Sequence, residues 1–137
     1  HWRDWAGIVY LFICLIDFFV APLIWNLKME SYCIEMGLKG VECDVIDLRT
    51  LSPIDMETVL ESVENTGRLV VVDESNPRCS IASDVSAQVA QQAFKSLKAQ
   101  IEMVTAPHTP VPFTTSLEDL YIPSAEQVAD SVRKTFN

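Results

Sequence analysis

Residues 45–74 read VIDLRTLSPIDMETVLESVENTGRLVVVDE, and they hold a strand–turn–helix–strand unit. The strand starts just upstream, at residues 43–48 (CDVIDL), and residues 49–53 (RTLSP) turn the chain toward a helix. Asp55 is placed to cap that helix, because its carboxylate can accept the free backbone N–H groups of the first turn. Met56, Val59, Leu60 and Val63 follow at i, i+3, i+4 and i+7, an apolar stripe along one face. Gly67 stands where a left-handed C-terminal cap is wanted. Residues 69–72 (LVVV) form a continuous apolar run, the pattern of a strand covered on both faces. Two strands joined through a helix make a right-handed crossover, so the sheet is parallel here.

The same pattern extends both ways. Met29, Tyr32, Cys33 and Met36 predict an amphipathic helix over 28–39, closed by Gly37 or Gly40, that feeds the strand at Cys43. Past the LVVV run, residues 76–80 (NPRCS) form a loop, and Val85, Val89, Phe94 and Leu97 predict a helix over 83–98. Residues 101–105 are a third strand. Pro107, Pro110 and Pro112 then enforce an extended, donor-poor loop. Ser124 and Gln127 make a capping box for a last helix whose Val128, Ala129, Val132 and Phe136 face the core. Alternating strands and helices predict an α/β fold, an open three-layer α/β/α arrangement around a mostly parallel sheet.

Four phrases stand in one order and spacing: VIDLRTLSPID, TGRLVVVDE, VTAPHTPVPF (104–113) and LEDLYIPS (117–124). Together they resemble the C-terminal transketolase-like domain of the beta subunit of thiamine-diphosphate-dependent 2-oxoacid dehydrogenases, the pyruvate, branched-chain and acetoin group. The resemblance covers residues 29 to 137. It implies a transketolase C-terminal-like sheet within a complex that decarboxylates a 2-oxoacid oxidatively and passes the acyl group to lipoyl groups. It also implies that thiamine diphosphate, Mg2+ and the catalytic histidine belong to other domains of the parent complex. For this domain the resemblance implies assembly: contact with a second beta subunit, with the alpha subunit and with the dihydrolipoyl acyltransferase. The family more often reads Gly-Pro-Asp where this chain has Ala106-Pro107-His108, so no role of that carboxylate transfers.

Residues 1–28 fall outside the resemblance. Within them, residues 5–25 (WAGIVYLFICLIDFFVAPLIW) match a membrane span in length and apolarity, with tryptophans near the ends. Asp17 and Pro22 oppose a simple span. Three readings stand side by side. The segment is a membrane helix joined to a soluble domain, similar in part to a small phage holin. Alternatively, residues 18–24 (FFVAPLI) supply the first strand of the sheet, or the segment is disordered outside lipid. The chain divides at this stage into an apolar segment, 1–27, and the transketolase C-terminal-like domain, 28–137.

The 137 residues carry a net charge of −9. Arg3 and Lys28 cancel Asp4 and Asp17, so the excess acid lies beyond residue 28. An acidic domain repels phosphate backbones, which argues against nucleic acid as a partner. Four cysteines without a CxxC pair and two histidines make no zinc-ligand pattern. A cytoplasmic, reducing compartment follows from thiols that the core does not need as disulfides, with membrane association only if residues 5–25 act as an anchor.

For chemistry, Asp73 and Glu74 are the best-placed polar pair, because open α/β sheets bind ligands beyond the carboxyl ends of their strands. They are either a ligand or subunit contact, or strand-end acids that meet solvent or cap the next turn. Glu118, Asp119 and Tyr121 are contacts for a basic partner by residue type and position. His108 in the proline-rich loop reads as a surface histidine. Arg49 reads as fixing its turn through a carboxylate. Ser80, Ser83 and Ser86 lack a nucleophile elbow, and four glycines make no phosphate-cradling loop. The residues therefore predict no catalytic, cofactor-binding or metal site in this chain, with a membrane-anchored α/β interaction protein as the alternative function.

Overall fold

The computed structural model of the chain describes residues 7–13 and 41–137. Among the described residues, four strands form one sheet: β1 (Gly7–Ile13), β2 (Glu42–Asp47), β3 (Leu69–Asp73) and β4 (Glu102–Thr105). Their order is β2-β1-β3-β4, and every pairing is parallel. β1 pairs Gly7 to Phe12 with Glu42 to Asp47 on one side, and Val9 to Ile13 with Leu69 to Asp73 on the other. The helices are α1 (Met56–Thr66), α2 (Ile81–Gln92), α3 (Thr115–Tyr121) and α4 (Ala125–Lys134), with a 3-10 turn at Phe94–Ser96 after α2.

β3 organises both cores because its side chains alternate across the sheet and all five are buried. Leu69 and Val71 point to the face covered by α1 and α2, where Val59, Val63, Ala82, Val85 and Val89 meet them. Val70 and Val72 point to the other face, against Val104 of β4 and Val128, Ala129 and Val132 of α4. Burying one Val or Leu side chain stabilises by roughly 1.5–3 kcal/mol, and β3 contributes four such side chains, Leu69, Val70, Val71 and Val72. Helices on both faces of a parallel sheet give the three layers expected.

The helix signals operate as written in the sequence. The Asp55 carboxylate accepts from the Thr58 N–H at 3.1 Å and from the Thr58 hydroxyl at 2.7 Å, and these bonds hold its pKa below the ordinary value. Gly67 closes α1 at φ +79°, its N–H donating to the Val63 carbonyl. A Cβ there would stand 2.7–2.9 Å from the aliphatic carbons of Lys98. Lys98 lies over the glycine, and its ammonium donates to the Thr66 carbonyl at 3.3 Å. Ser80 and Ser83 form a capping box on α2, and Ser124 and Gln127 form the expected one on α4.

Four expectations need correction. A single membrane helix across residues 5–25 does not hold, since Gly7–Ile13 is a strand hydrogen-bonded on both sides. Seven consecutive residues rich in Ile, Val, Tyr and Phe suit an inner strand, and an uninterrupted apolar run does not distinguish strand from helix. No helix among the described residues is long and apolar enough to cross a membrane. The strand placed at 18–24 and the helix at 28–39 lie outside the described residues; the strand in the sheet comes from further upstream. The helix expected over 83–98 ends at Gln92, and Phe94 stands 71% exposed. Its core stripe runs Val85, Val89, Ala93 at four-residue steps, which turns Phe94 away from the sheet. Phe136 also leaves the core; its ring lies under the Arg68 guanidinium, 4.5 Å from the ring centroid.

Candidate functional site

In the order β2-β1-β3-β4, the strand after β1 lies on one side of it and β3 lies on the other. The carboxyl ends of β1 and β3 therefore form the topological switch point, where sheets of this kind open a crevice. Asp73 and Glu74 sit there. Asp73 is 1% exposed. One carboxylate oxygen accepts from the Ser75 N–H at 2.9 Å, and the other from the Ala82 N–H in the first turn of α2 at 3.3 Å. An acid at a helix N-terminus is favoured by the free N–H groups and the helix dipole. Asp73 thus caps the next element and positions the loop after β3.

Glu74 is half-buried, and burial, aided by the adjacent Asp73 charge, pushes its carboxyl above the ordinary value. The loop between them and α2 is held from several sides. The Ala106 N–H donates to the Ser75 carbonyl at 3.1 Å, tying the ends of β3 and β4 together. The Ser83 hydroxyl donates to the Pro77 carbonyl at 3.0 Å, and the Arg78 N–H donates to the Asn76 side-chain oxygen at 3.0 Å. Cys79, exposed, takes a left-handed φ of 53° just before the Ser80 cap. Arg49 donates to Asp47 at 3.3 Å on the surface, a local pair that tethers the turn after β2. His108 is exposed in the proline-rich loop.

Glu118, Asp119 and Tyr121 lie on α3, away from Asp73 and Glu74 in the sequence and on a different element. The two acids are exposed, whereas Tyr121 is half-buried and donates its hydroxyl to the Thr109 carbonyl at 3.4 Å. That bond joins α3 to the preceding extended loop. α3 was not foreseen as a helix, although Leu117, Leu120 and Tyr121 carry the i, i+3, i+4 signal. It buries none of its residues against the described chain. Val111, Phe113, Leu117 and Leu120 all project into solvent, Leu120 at 79% exposure and Phe113 fully. Single exposed apolar residues are ordinary, and here four fall within ten residues of one loop and helix.

No group of three or more His, Cys, Asp and Glu among the described residues is placed to hold a metal ion. Gly67, the described glycine with a left-handed backbone, is covered by Lys98 and is not open to a diphosphate. The described residues thus offer no such ligand set for Mg2+.

An open parallel sheet flanked by helices, with an internally capped strand end, defines a domain of the α/β class. The chain belongs to the transketolase C-terminal domain family, whose model matches residues 33–128. It is 73% identical over 100 residues to the beta subunit of acetoin:2,6-dichlorophenolindophenol oxidoreductase of Cupriavidus necator, a match spanning 73% of this chain and 30% of that subunit. The Bacillus subtilis subunit of the same name is 48% identical over 103 residues, 75% of this chain and 30% of its own length. The beta subunit of the pyruvate dehydrogenase E1 component of Rhizobium meliloti is 40% identical over 99 residues, 72% of this chain and 22% of its own length. The chain thus spans less than a third of these curated relatives, and corresponds to the C-terminal transketolase-like part of such a beta subunit. Among solved structures, the inactive beta4 tetramer of a split-gene transketolase shares the fold, with a TM-score of 0.72 at 20% identity over 96% of this chain and 39% of that one.

Proposed function

We propose that this chain is a non-catalytic assembly domain of a 2-oxoacid dehydrogenase beta subunit. The observation that carries the proposal is the apolar surface of Val111, Phe113, Leu117 and Leu120, which the domain builds but does not itself bury. The proposed partners are a second beta subunit, the alpha subunit and the dihydrolipoyl acyltransferase. In the parent complex, thiamine diphosphate and Mg2+ are held by other domains and supply the decarboxylation of a pyruvate-type 2-oxoacid. This domain contributes shape and charge: apolar side chains for subunit contact, and Glu74, Glu118, Asp119 and Tyr121 for a basic partner. Asp73 fixes the loop that carries Glu74.

The test is co-purification of the chain with alpha and beta subunits of an acetoin-type dehydrogenase, compared with Phe113→Ser/Leu120→Ser. The native chain is expected to co-elute and the variant to elute alone with an unchanged circular dichroism spectrum. Equal co-elution of both would remove the basis of the proposal.

A further inference from the structure

At the amino end of β4 the surface opens into a hollow of about 700 Å³. Phe94, Leu97 and Ile101 give it an apolar lining, and Lys95 and Lys98 line it beside them. Backbone bonds fix this platform. The Ser96 N–H donates to the Ala93 carbonyl at 2.9 Å and the Leu97 N–H to the Phe94 carbonyl at 3.3 Å, so one 3-10 turn carries Phe94 and Lys95. The Lys98 N–H donates to the Gly67 carbonyl at 2.7 Å, and its ammonium to the Thr66 carbonyl at 3.3 Å. Leu97 and Ile101 rest against the core under α1 and α2. Among the described residues neither lysine is paired with a carboxylate: the ion pairs are Arg49–Asp47 and Arg133–Asp130, and nearby Glu102 accepts from the Gln100 side-chain amide instead. Two cations thus flank an apolar hollow on a chain whose net charge is −9.

We propose that this hollow docks an acidic, apolar peptide segment of a partner protein, whose large apolar side chains enter between Phe94, Leu97 and Ile101 while its carboxylates meet Lys95 and Lys98. An ammonium carries three donors and Lys98 spends one on Thr66, so two remain for an incoming carboxylate. Phe94 is 71% exposed. A small anion held by the lysines would leave that ring in water, whereas a length of chain covers ring and cations together, and aromatic side chains are common interface anchors. Because the turn is already fixed by its own hydrogen bonds, docking here orders little new backbone. An anionic membrane suits the hollow poorly: two lysines fall short of the roughly four to eight that hold such a surface, and the acid of the rest of the chain repels it. This partner is opposite in charge to the basic one proposed for Glu118 and Asp119 and meets a different part of the fold, so the inference goes beyond the assembly reading and does not depend on it.

Selection of a random-sequence peptide library on the whole immobilised chain tests this. Enriched peptides are expected to combine Asp or Glu with Leu, Ile, Phe or Met. A synthetic peptide of the enriched sequence should bind the native chain, and more weakly as salt rises. Lys95→Glu and Phe94→Ser should each weaken that binding by about ten-fold or more, with the thermal midpoint unchanged, since both side chains are exposed. Lys98 is left intact because it also packs on Gly67. Replacing the acids of the peptide by Lys should abolish binding to the native chain and restore it to Lys95→Glu, a rescue that damage to the fold does not produce. Enrichment of basic or uncharged peptides, or of none, would overturn the proposal. So would a selected peptide whose affinity survives both substitutions. Vesicles of anionic phospholipid form the last arm: vesicle binding that Lys95→Glu abolishes, with no peptide bound there, would make the hollow a lipid contact and end the peptide reading. Co-purification with alpha and beta subunits reads Phe113 and Leu120 instead, so either proposal can fail while the other holds.

Discussion

β3 and the segment that leads into α3 are both rich in large apolar residues, yet they use them in opposite ways. β3 hides Leu69, Val70, Val71 and Val72 completely, two on each face of the sheet. The segment holding Val111, Phe113, Leu117 and Leu120 shows its side chains to solvent. The difference lies in the backbone. A strand in mid-sheet satisfies its N–H and C=O groups laterally and leaves both faces to helices. Prolines at 107, 110 and 112 remove donors and prevent such pairing, so that segment stays outside the layers. Apolar residues on a strand of this kind hold the domain together, and those on a proline-spaced loop are available to something else.

The comparison breaks most visibly on stability. Leu69→Ala should cost about 2–5 kcal/mol, the range for emptying a packed core site, whereas Leu120→Ala should stay within about 0.5 kcal/mol. Urea unfolding of both variants checks this, and a Leu120→Ala loss as large as that of Leu69→Ala would mean that α3 packs against the domain after all. Asp73→Ala comes next. It strands the Ser75 and Ala82 N–H groups, and leaving a buried donor unsatisfied costs about 1–3 kcal/mol. Unfolding midpoints with intact binding to subunit partners would place Asp73 in the scaffold, while lost binding at native stability would move it to the contact surface.

The smallest effect concerns pH. The Glu74 carboxyl is raised in the folded chain, so folding favours its neutral form. The ionised group therefore opposes folding at neutral pH, and the penalty fades as pH falls through the raised folded value and then the ordinary one. Glu74→Gln should raise the thermal midpoint slightly at pH 7 and leave it unchanged in acid. Asp55 behaves in the reverse sense: its pKa is lowered, so its stabilisation is complete above the ordinary value and is lost as pH falls through the lowered one. Melting curves of Glu74→Gln and Asp55→Ala across acid pH should thus converge on the native curve from opposite sides.

The parts of this fold that were legible in the sequence are those decided by neighbours along the chain. Asp55, Gly67 and the Ser124–Gln127 box act within a turn of their own helices, and each does what its position implies. Residues 69–72 carry enough β-branched character to be read as an inner strand without a partner in view. Phe94 and Phe136 were less legible, because the geometry of α2 and the Arg68 contact decide where those rings go. β1 fell inside the segment left open between membrane helix, strand support and disorder, because a run such as GIVYLFI satisfies strand and helix alike until its neighbours are known. At the candidate site, the position of Asp73 and Glu74 could be read but not the choice between capping and contact. That choice depends on the Ala82 N–H, nine residues on and brought back by the loop.

The two sides of the sheet are finished at different times. The α1 and α2 side takes its packing partners from residues up to Ile101, whereas Val70, Val72 and Val104 wait for Val128, Ala129 and Val132 of α4. The Arg68 Nε then donates to the Thr135 carbonyl at 2.9 Å and latches the last helix to the start of β3. A chain lacking α4 would keep the α1 and α2 side covered and leave Val70, Val72 and Val104 bare, a contiguous apolar strip open to misassociation.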